Sequence, residues 1–133
     1  MSNDTPRSER DLQEIFGRAV EAHRQGNLDD ARALYEEILR HADSPQVACN
    51  LATIMRAQGA VREAEQIYHA VILAKPDFPE AHGGLGNVLR DLGDLEGAVA
   101  AFRRALEQNP DYGEAHVNIG NVLQGLGRYE AAA

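Results

Sequence analysis

A chain of 133 residues, 44% hydrophobic and 26% charged, has the composition of a folded protein with room for one compact domain or a few short repeats. Its formal charge of −8 opposes attraction to nucleic acid and to anionic lipid, both of which favour clustered Lys and Arg. No run of about 18 apolar residues exists to span a membrane, the polar start lacks a secretion-signal core, and a lone cysteine, Cys49, excludes an intrachain disulfide or a multi-thiolate metal site.

Taken in chain order, residues 1–11 are polar and read as a disordered lead-in. From residue 12 onward the chain repeats itself. Placing Leu51-Ala52, Leu85-Gly86 and Ile119-Gly120 in register at a spacing of 34 also aligns Gly59, Gly93 and Gly127, then Ala64, Ala98 and Ala132, and Pro76 with Pro110. Such self-similarity stacks copies of one unit, each too small to bury its own apolar face. The units run at about 12–44, 45–78 and 79–112, with a partial fourth at 113–133.

Within each unit two apolar patterns of helical spacing are split by a glycine-containing turn. The first unit carries Ala19, Gly26, Ala31, Tyr35 and Ile38, and lacks a closing proline. The third shows the pattern most fully. Its first helix places Ala81, His82, Leu85, Gly86, Val88, Leu89 and Leu92 on one stripe, and its second places Leu95, Ala98, Val99, Phe102, Ala105 and Leu106 on another. Gly86 and Ala98 predict a close approach of the paired helices, with Phe102 filling the space beside them. Gly59, Gly93 and Gly127 are predicted to end the first helices in a left-handed turn, and Pro76 and Pro110 to end the second.

Residues His82, Leu85, Gly86, Leu89, Gly93, Ala98, Phe102, Ala105 and Pro110 together resemble the tetratricopeptide repeat motif. The second unit follows with Ala48, Leu51, Ala52, Met55, Gly59, Ala64, Tyr68, Val71 and Pro76. The first departs from the motif at Arg18, where the family has leucine. The resemblance covers residues 12–133 and implies an all-α solenoid of antiparallel helix pairs, a right-handed superhelix with its last repeat incomplete. Cytoplasm is the expected location.

No constellation for catalysis emerges, because the ionisable residues follow solvent-facing helix positions. The chain is expected to be no enzyme, with no cofactor and no metal. His23, His41, His69, His82 and His116 include no pair spaced to ligate from one helix face. His82 and His116 stand 34 apart and read as packing residues. Gly83-Gly84-Leu85-Gly86-Asn87 has no preceding strand and no Gly-Lys-Ser/Thr, so it is no phosphate cradle. Cys49 reads as a small packing side chain.

By the resemblance, the first helices line a concave groove. Gln46, Cys49, Thr53 and Arg56 then face inward, as do Glu80, Gly83, Asn87 and Arg90, and Glu114, Val117, Asn121 and Gln124. Gln13, Phe16, Val20 and His23 hold the matching places in the first unit, and Asn50 and Asn118 occupy a further position that often reaches the groove. Amides can pair with an extended peptide backbone, and Arg56 and Arg90 offer forked donors to a carboxylate. The candidate binding residues are Asn50, Arg56, Asn87, Arg90, Asn118 and Asn121. Their asparagines are similar to the amide ladder of the repeat domain in O-linked N-acetylglucosamine transferases, which holds acceptor polypeptides. At the positions of the family's chaperone-tail clamp stand Phe16, Val20, Asn50, Glu80 and Gly84, which disfavours that ligand.

The leading expectation is therefore a module for protein–protein interaction that binds a peptide or protein segment, with no nucleic acid and no membrane as partner. Two alternatives stand beside it. One is an N-terminal accessory domain of a larger enzyme, such as a glycosyltransferase or methyltransferase. The other is a self-associating scaffold, a homodimer through Ile119, Leu123 and Leu126, which lack a covering second helix.

Overall fold

The computed structural model describes residues 8–132, with side chains described as far as Gly127. They form α1 (Glu9–Arg24), α2 (Leu28–Leu39), α3 (Pro45–Ala57), α4 (Val61–Ala74), α5 (Pro79–Asp91), α6 (Leu95–Gln108) and α7 (Gly113–Ala132), with no strand among the described residues. α1 starts ahead of the expected residue 12 because Ser8 caps it, its Oγ accepting from the Asp11 N–H at 3.2 Å. The expected disorder of residues 1–7 falls outside the described residues. Ser44 caps α3 in the same way, accepting from the Val47 N–H at 3.2 Å, and Pro45 and Pro79 occupy first turns, where no N–H is needed.

The three helix pairs reverse at glycines held at φ of 82° (Gly26), 89° (Gly59) and 86° (Gly93). Around each, two bonds tie off the dangling carbonyls of the preceding helix. The glycine N–H donates to the carbonyl three residues back (His23, Arg56, Arg90), each at 3.0 Å. The next N–H reaches back to Ala22, Met55 and Leu89 at 2.8, 2.8 and 2.9 Å. This is the Schellman closure, and only glycine enters its left-handed residue without strain.

Gly127 behaves differently and corrects the sequence expectation: it has no positive φ, and α7 continues through it to Ala132. Side-chain capping is not the cause, since Asn27 and Ala60 make no capping bond either, and their turns still form. What the three turns share is a following helix that packs back, with Ala31, Tyr35 and Ile38, Ala64, Tyr68 and Val71, or Ala98, Phe102 and Ala105 buried. After Gly127 no such return helix packs back among the described residues, and 128–132 extend α7.

Packing follows the repeat. α1 pairs with α2, α3 with α4 and α5 with α6; α2, α4 and α6 each lie on the next first helix; α3 also meets α5, and α5 meets α7. Inside the third pair Phe102 is fully buried, and a Cβ at Gly86 would stand 2.5 Å from its ring, so glycine there is the condition for the expected close approach. The first pair is tied to the second by polar bridges: Arg32 Nη1 donates to Gln58 Oε1 at 3.0 Å, and Gln58 Nε2 donates to Asp29 at 2.7 Å. No helix among the described residues is long and apolar enough to cross a membrane.

His82 and His116 do equivalent work. Each ring donates from Nε2 to the carbonyl of the proline six residues earlier, Pro76 at 2.9 Å and Pro110 at 2.7 Å, which pins the linker between successive pairs. Gln108 Nε2 donates to the same Pro76 carbonyl at 2.7 Å, so α6 helps hold that linker as well.

Candidate functional site

Lining up α3, α5 and the start of α7 side by side leaves a cavity of about 250 Å³. Helix α3 contributes Gln46, Cys49, Asn50, Thr53 and Arg56; α5 contributes Glu80, Gly84 and Asn87; Glu114 begins the α7 wall. All four inward positions inferred for the second unit line the cavity, joined by Glu80 and Asn87 of the third and Glu114 of the fourth, while Gly83 and Arg90 do not. Two side chains complete it from outside those positions. Tyr68 reaches in from α4 and Tyr112 from the linker before α7.

Tyr68 enters because Gly84 leaves room: a Cβ at Gly84 would clash with the ring. Its hydroxyl sits 2.9 Å from Thr53 Oγ1 and 3.5 Å from the Cys49 carbonyl, so the buried phenol is satisfied from α3. Tyr112 lies against Gly83, where a Cβ would meet its hydroxyl at 3.2 Å. The motif marks position 68 only as a large core residue, so its hydroxyl in the cavity was not legible from the repeat.

The six candidate residues separate into three groups. Asn50, Arg56 and Asn87 line the cavity. Arg90 and Asn118 stand behind it, donating to Asn87 Oδ1 from Nη2 at 3.0 Å and from Nδ2 at 3.1 Å, and so orient that amide. Asn121 is exposed and outside the lining. The first-unit positions do not join the cavity: Phe16 packs on Tyr35 with ring centroids 6.0 Å apart, and Val20 is 41% exposed.

Several of these groups are already engaged. Arg56 grips both carboxylate oxygens of Asp91 through Nε and Nη2, the latter at 3.0 Å, so its fork is filled from within the fold. Asn50 Oδ1 accepts from Gln46 at 2.9 Å, and its Nδ2 points to the Tyr35 hydroxyl at 3.4 Å. Residue 91 was not singled out in the sequence, because it lies outside the repeat motif and pairs across two units.

Burial and the nearby acids set the chemistry of the lining. Burial, assisted by the Glu80 charge, pushes the Cys49 thiol up to about 12. That suits a packing residue rather than a nucleophile. Burial likewise raises the Tyr112 phenol to about 12, with Glu114 and Glu80 adding to the shift. Among the described residues no group of three or more His, Cys, Asp or Glu side chains could hold a metal ion.

The α7 residues expected to lack cover lie beyond this cavity. Of the three residues expected to lack cover, Leu123 is 42% exposed, whereas Ile119 and Leu126 are half-buried against the cluster around Phe102. Val117, not chosen in the sequence for this end, is the most exposed of the apolar residues there, at 63%.

Comparison with known proteins agrees with the repeat. A family model described as a tetratricopeptide repeat matches residues 22–88, and one described as a TPR repeat matches residues 86–127. No curated protein sequence matches the chain. Among solved structures, the Sgt2 TPR domain from Aspergillus fumigatus superposes with a TM-score of 0.85 at 18% identity, over 98% of this chain and 87% of that one. The first TPR of Spaghetti bound to an HSP90 peptide gives 0.79 at 21% identity, over 90% and 96%. The Thermobaculum terrenum O-GlcNAc transferase gives 0.82 at 24% identity, over 92% of this chain but 23% of that one. At these identities the likeness is one of fold. Three helix pairs and a seventh helix among the described residues, a Schellman turn in each pair and a family model spanning residues 22–88 together make this chain a member of the tetratricopeptide repeat family.

Proposed function

We propose that the chain is a non-enzymatic protein-interaction module that holds a peptide or protein segment in its concave cavity. The observation that carries this reading is the convergence of α3, α5 and α7 on one polar cavity, walled by Tyr68 and Tyr112. Asn87 supplies an amide that pairs with a backbone regardless of its sequence, with Asn50 beside it in the lining and Asn118 behind. Arg90 and Asn118 hold Asn87 in place, leaving its Nδ2 to donate. Arg56 contributes by keeping α3 and α5 in register through Asp91, and Asn121 extends the polar strip along α7. The Spaghetti domain was solved with an HSP90 peptide, and its fold is similar to this one.

The test is a titration. A peptide selected from a random library for binding should lose affinity about tenfold when Asn87 is changed to Ala, the scale of a lost pair of hydrogen bonds at an interface. Unchanged affinity for the Asn87→Ala protein would remove the cavity from the reading.

Exposure of Val117 and Leu123 favours a second reading, self-association through α7 as a homodimer. Sedimentation across the micromolar range separates the two, since a monomer throughout leaves only peptide binding.

A further inference from the structure

The cavity's charge balance says more about its ligand than its amides do. Its one lining cation, Arg56, is paired with Asp91, and Glu114 acts on it only through its charge at longer range. Arg90 lies outside the lining, its guanidinium bonded to Asn87. The lining acids, Glu80 and Glu114, form no ion pair and no hydrogen bond through their carboxylates among the described residues. They stand 34 residues apart at equivalent places, one on the α5 wall and one on the α7 wall. Both sit in first turns, where the helix dipole favours a carboxylate. That explains their tolerance, while their position in the lining gives them a second use.

The remaining open valences point the same way. Asn50 and Thr53 are engaged within the fold, and Asn87 Oδ1 already accepts two donors. The two carboxylates are therefore the strongest unfilled groups in the lining, and both are acceptors. Cys49, only 4% exposed, lines the same cavity, and its thiol has no hydrogen-bond partner among the described residues. The Tyr68 and Tyr112 rings add aromatic surface beside the acids. The volume, about 250 Å³, is below the roughly 300–1,000 Å³ of small-molecule pockets and suits one long side chain.

We propose that the cavity receives one cationic side chain, Arg or Lys, of an extended polypeptide, with Glu80 and Glu114 as its counter-charges and Tyr68 and Tyr112 beside it. The proposal rests on the concave-cavity reading above and replaces a ligand carboxylate by a ligand cation. The upward shift of the Tyr112 phenol by Glu114 and Glu80, after burial, reports the same negative field.

The probes are three acetylated, amidated nonapeptides of Gly, Ser and Ala that differ at one central residue, Arg, Gln or Glu. Backbone amide shifts on α3 and α5 report occupancy, and titration gives the affinities. The Arg peptide should bind about tenfold more tightly than the Gln peptide, and that advantage should vanish in the Glu80→Gln/Glu114→Gln protein and shrink as salt is raised. Shifts on α3 and α5 with the Gln or Glu peptide binding as tightly as the Arg peptide overturn the cation assignment and leave the cavity reading standing. The same follows if the double variant keeps the Arg preference. Absence of shifts on α3 and α5 with all three peptides overturns both.

Discussion

The corner at Gly93 and the stretch at Gly127 lie 34 residues apart and both read Leu-Gly, yet α5 closes at the first and α7 runs through the second. The difference teaches that a turn glycine permits a reversal without imposing one. At Gly93 the return helix α6 buries Ala98, Phe102 and Ala105, and that burial selects the left-handed glycine over a continued helix. At Gly127 no return helix packs back among the described residues, and the intrahelical hydrogen bonds win. A chain reversal in this fold is thus a tertiary decision taken at a locally permissive residue.

The sharpest way to break the contrast is to supply what Gly127 lacks. A protein carrying a copy of residues 94–108 directly after Gly127 should reverse there and bury Leu123. At about 1.5–3 kcal/mol per fully buried aliphatic side chain, its stability should rise by several kcal/mol. Urea denaturation measures the gain, and a Gly127 amide that exchanges like a mid-helix amide would show that the return helix is not the cause.

Phe102→Ala removes the residue on which the third pair closes, and should cost about 3–5 kcal/mol in the same assay. A loss below about 1 kcal/mol would mean that α6 is held by something other than this ring.

Glycines one period apart give a smaller, sign-changing pair. Gly86→Ala drives a methyl into the Phe102 ring and should cost about 1–3 kcal/mol. Gly120→Ala meets nothing within 4 Å and should raise stability by up to about 1 kcal/mol through helix propensity. Equal effects at the two sites would contradict the packing.

The alkaline limb is the gentlest probe. Cys49 and Tyr112 hold their protons more tightly when folded, each with its pKa raised to about 12. Their contribution is therefore fully present below the unfolded values, about 8.5 for a thiol and about 10 for a phenol. It declines as pH rises through that window toward 12. Cys49→Ala should flatten the first part of the decline, and a stability curve of unchanged slope would place the thiol in solvent.

Reading the residues in register was enough for the helices, for the turns at Gly59 and Gly93, and for the contact of Gly86 with Phe102, because all three depend on spacing that recurs every unit. The cavity was half legible. Arg56 and Asn87 were read at inward positions and Asn50 at a further one that often reaches the groove, but the engagement of Arg56 by Asp91 was not legible. That pair joins α3 to α5 across 35 residues, and the equivalent place after Arg90 holds Gly125, so no repeat pattern announces it. Tyr112 was invisible for a like reason: it sits in a linker and gains its role from its approach to Gly83.

What the sequence determined by itself is the local half of this protein: which segments are helical, where glycine allows the chain to turn, and which stripe of each helix is apolar. Those follow from periodicity and backbone sterics, which act over a few residues. Whether a permissive glycine turns, which charges neutralise one another and which carboxylates are left facing the cavity were decided only by the stacking of units. Those outcomes depend on what lies opposite in space, and a one-dimensional pattern does not carry that.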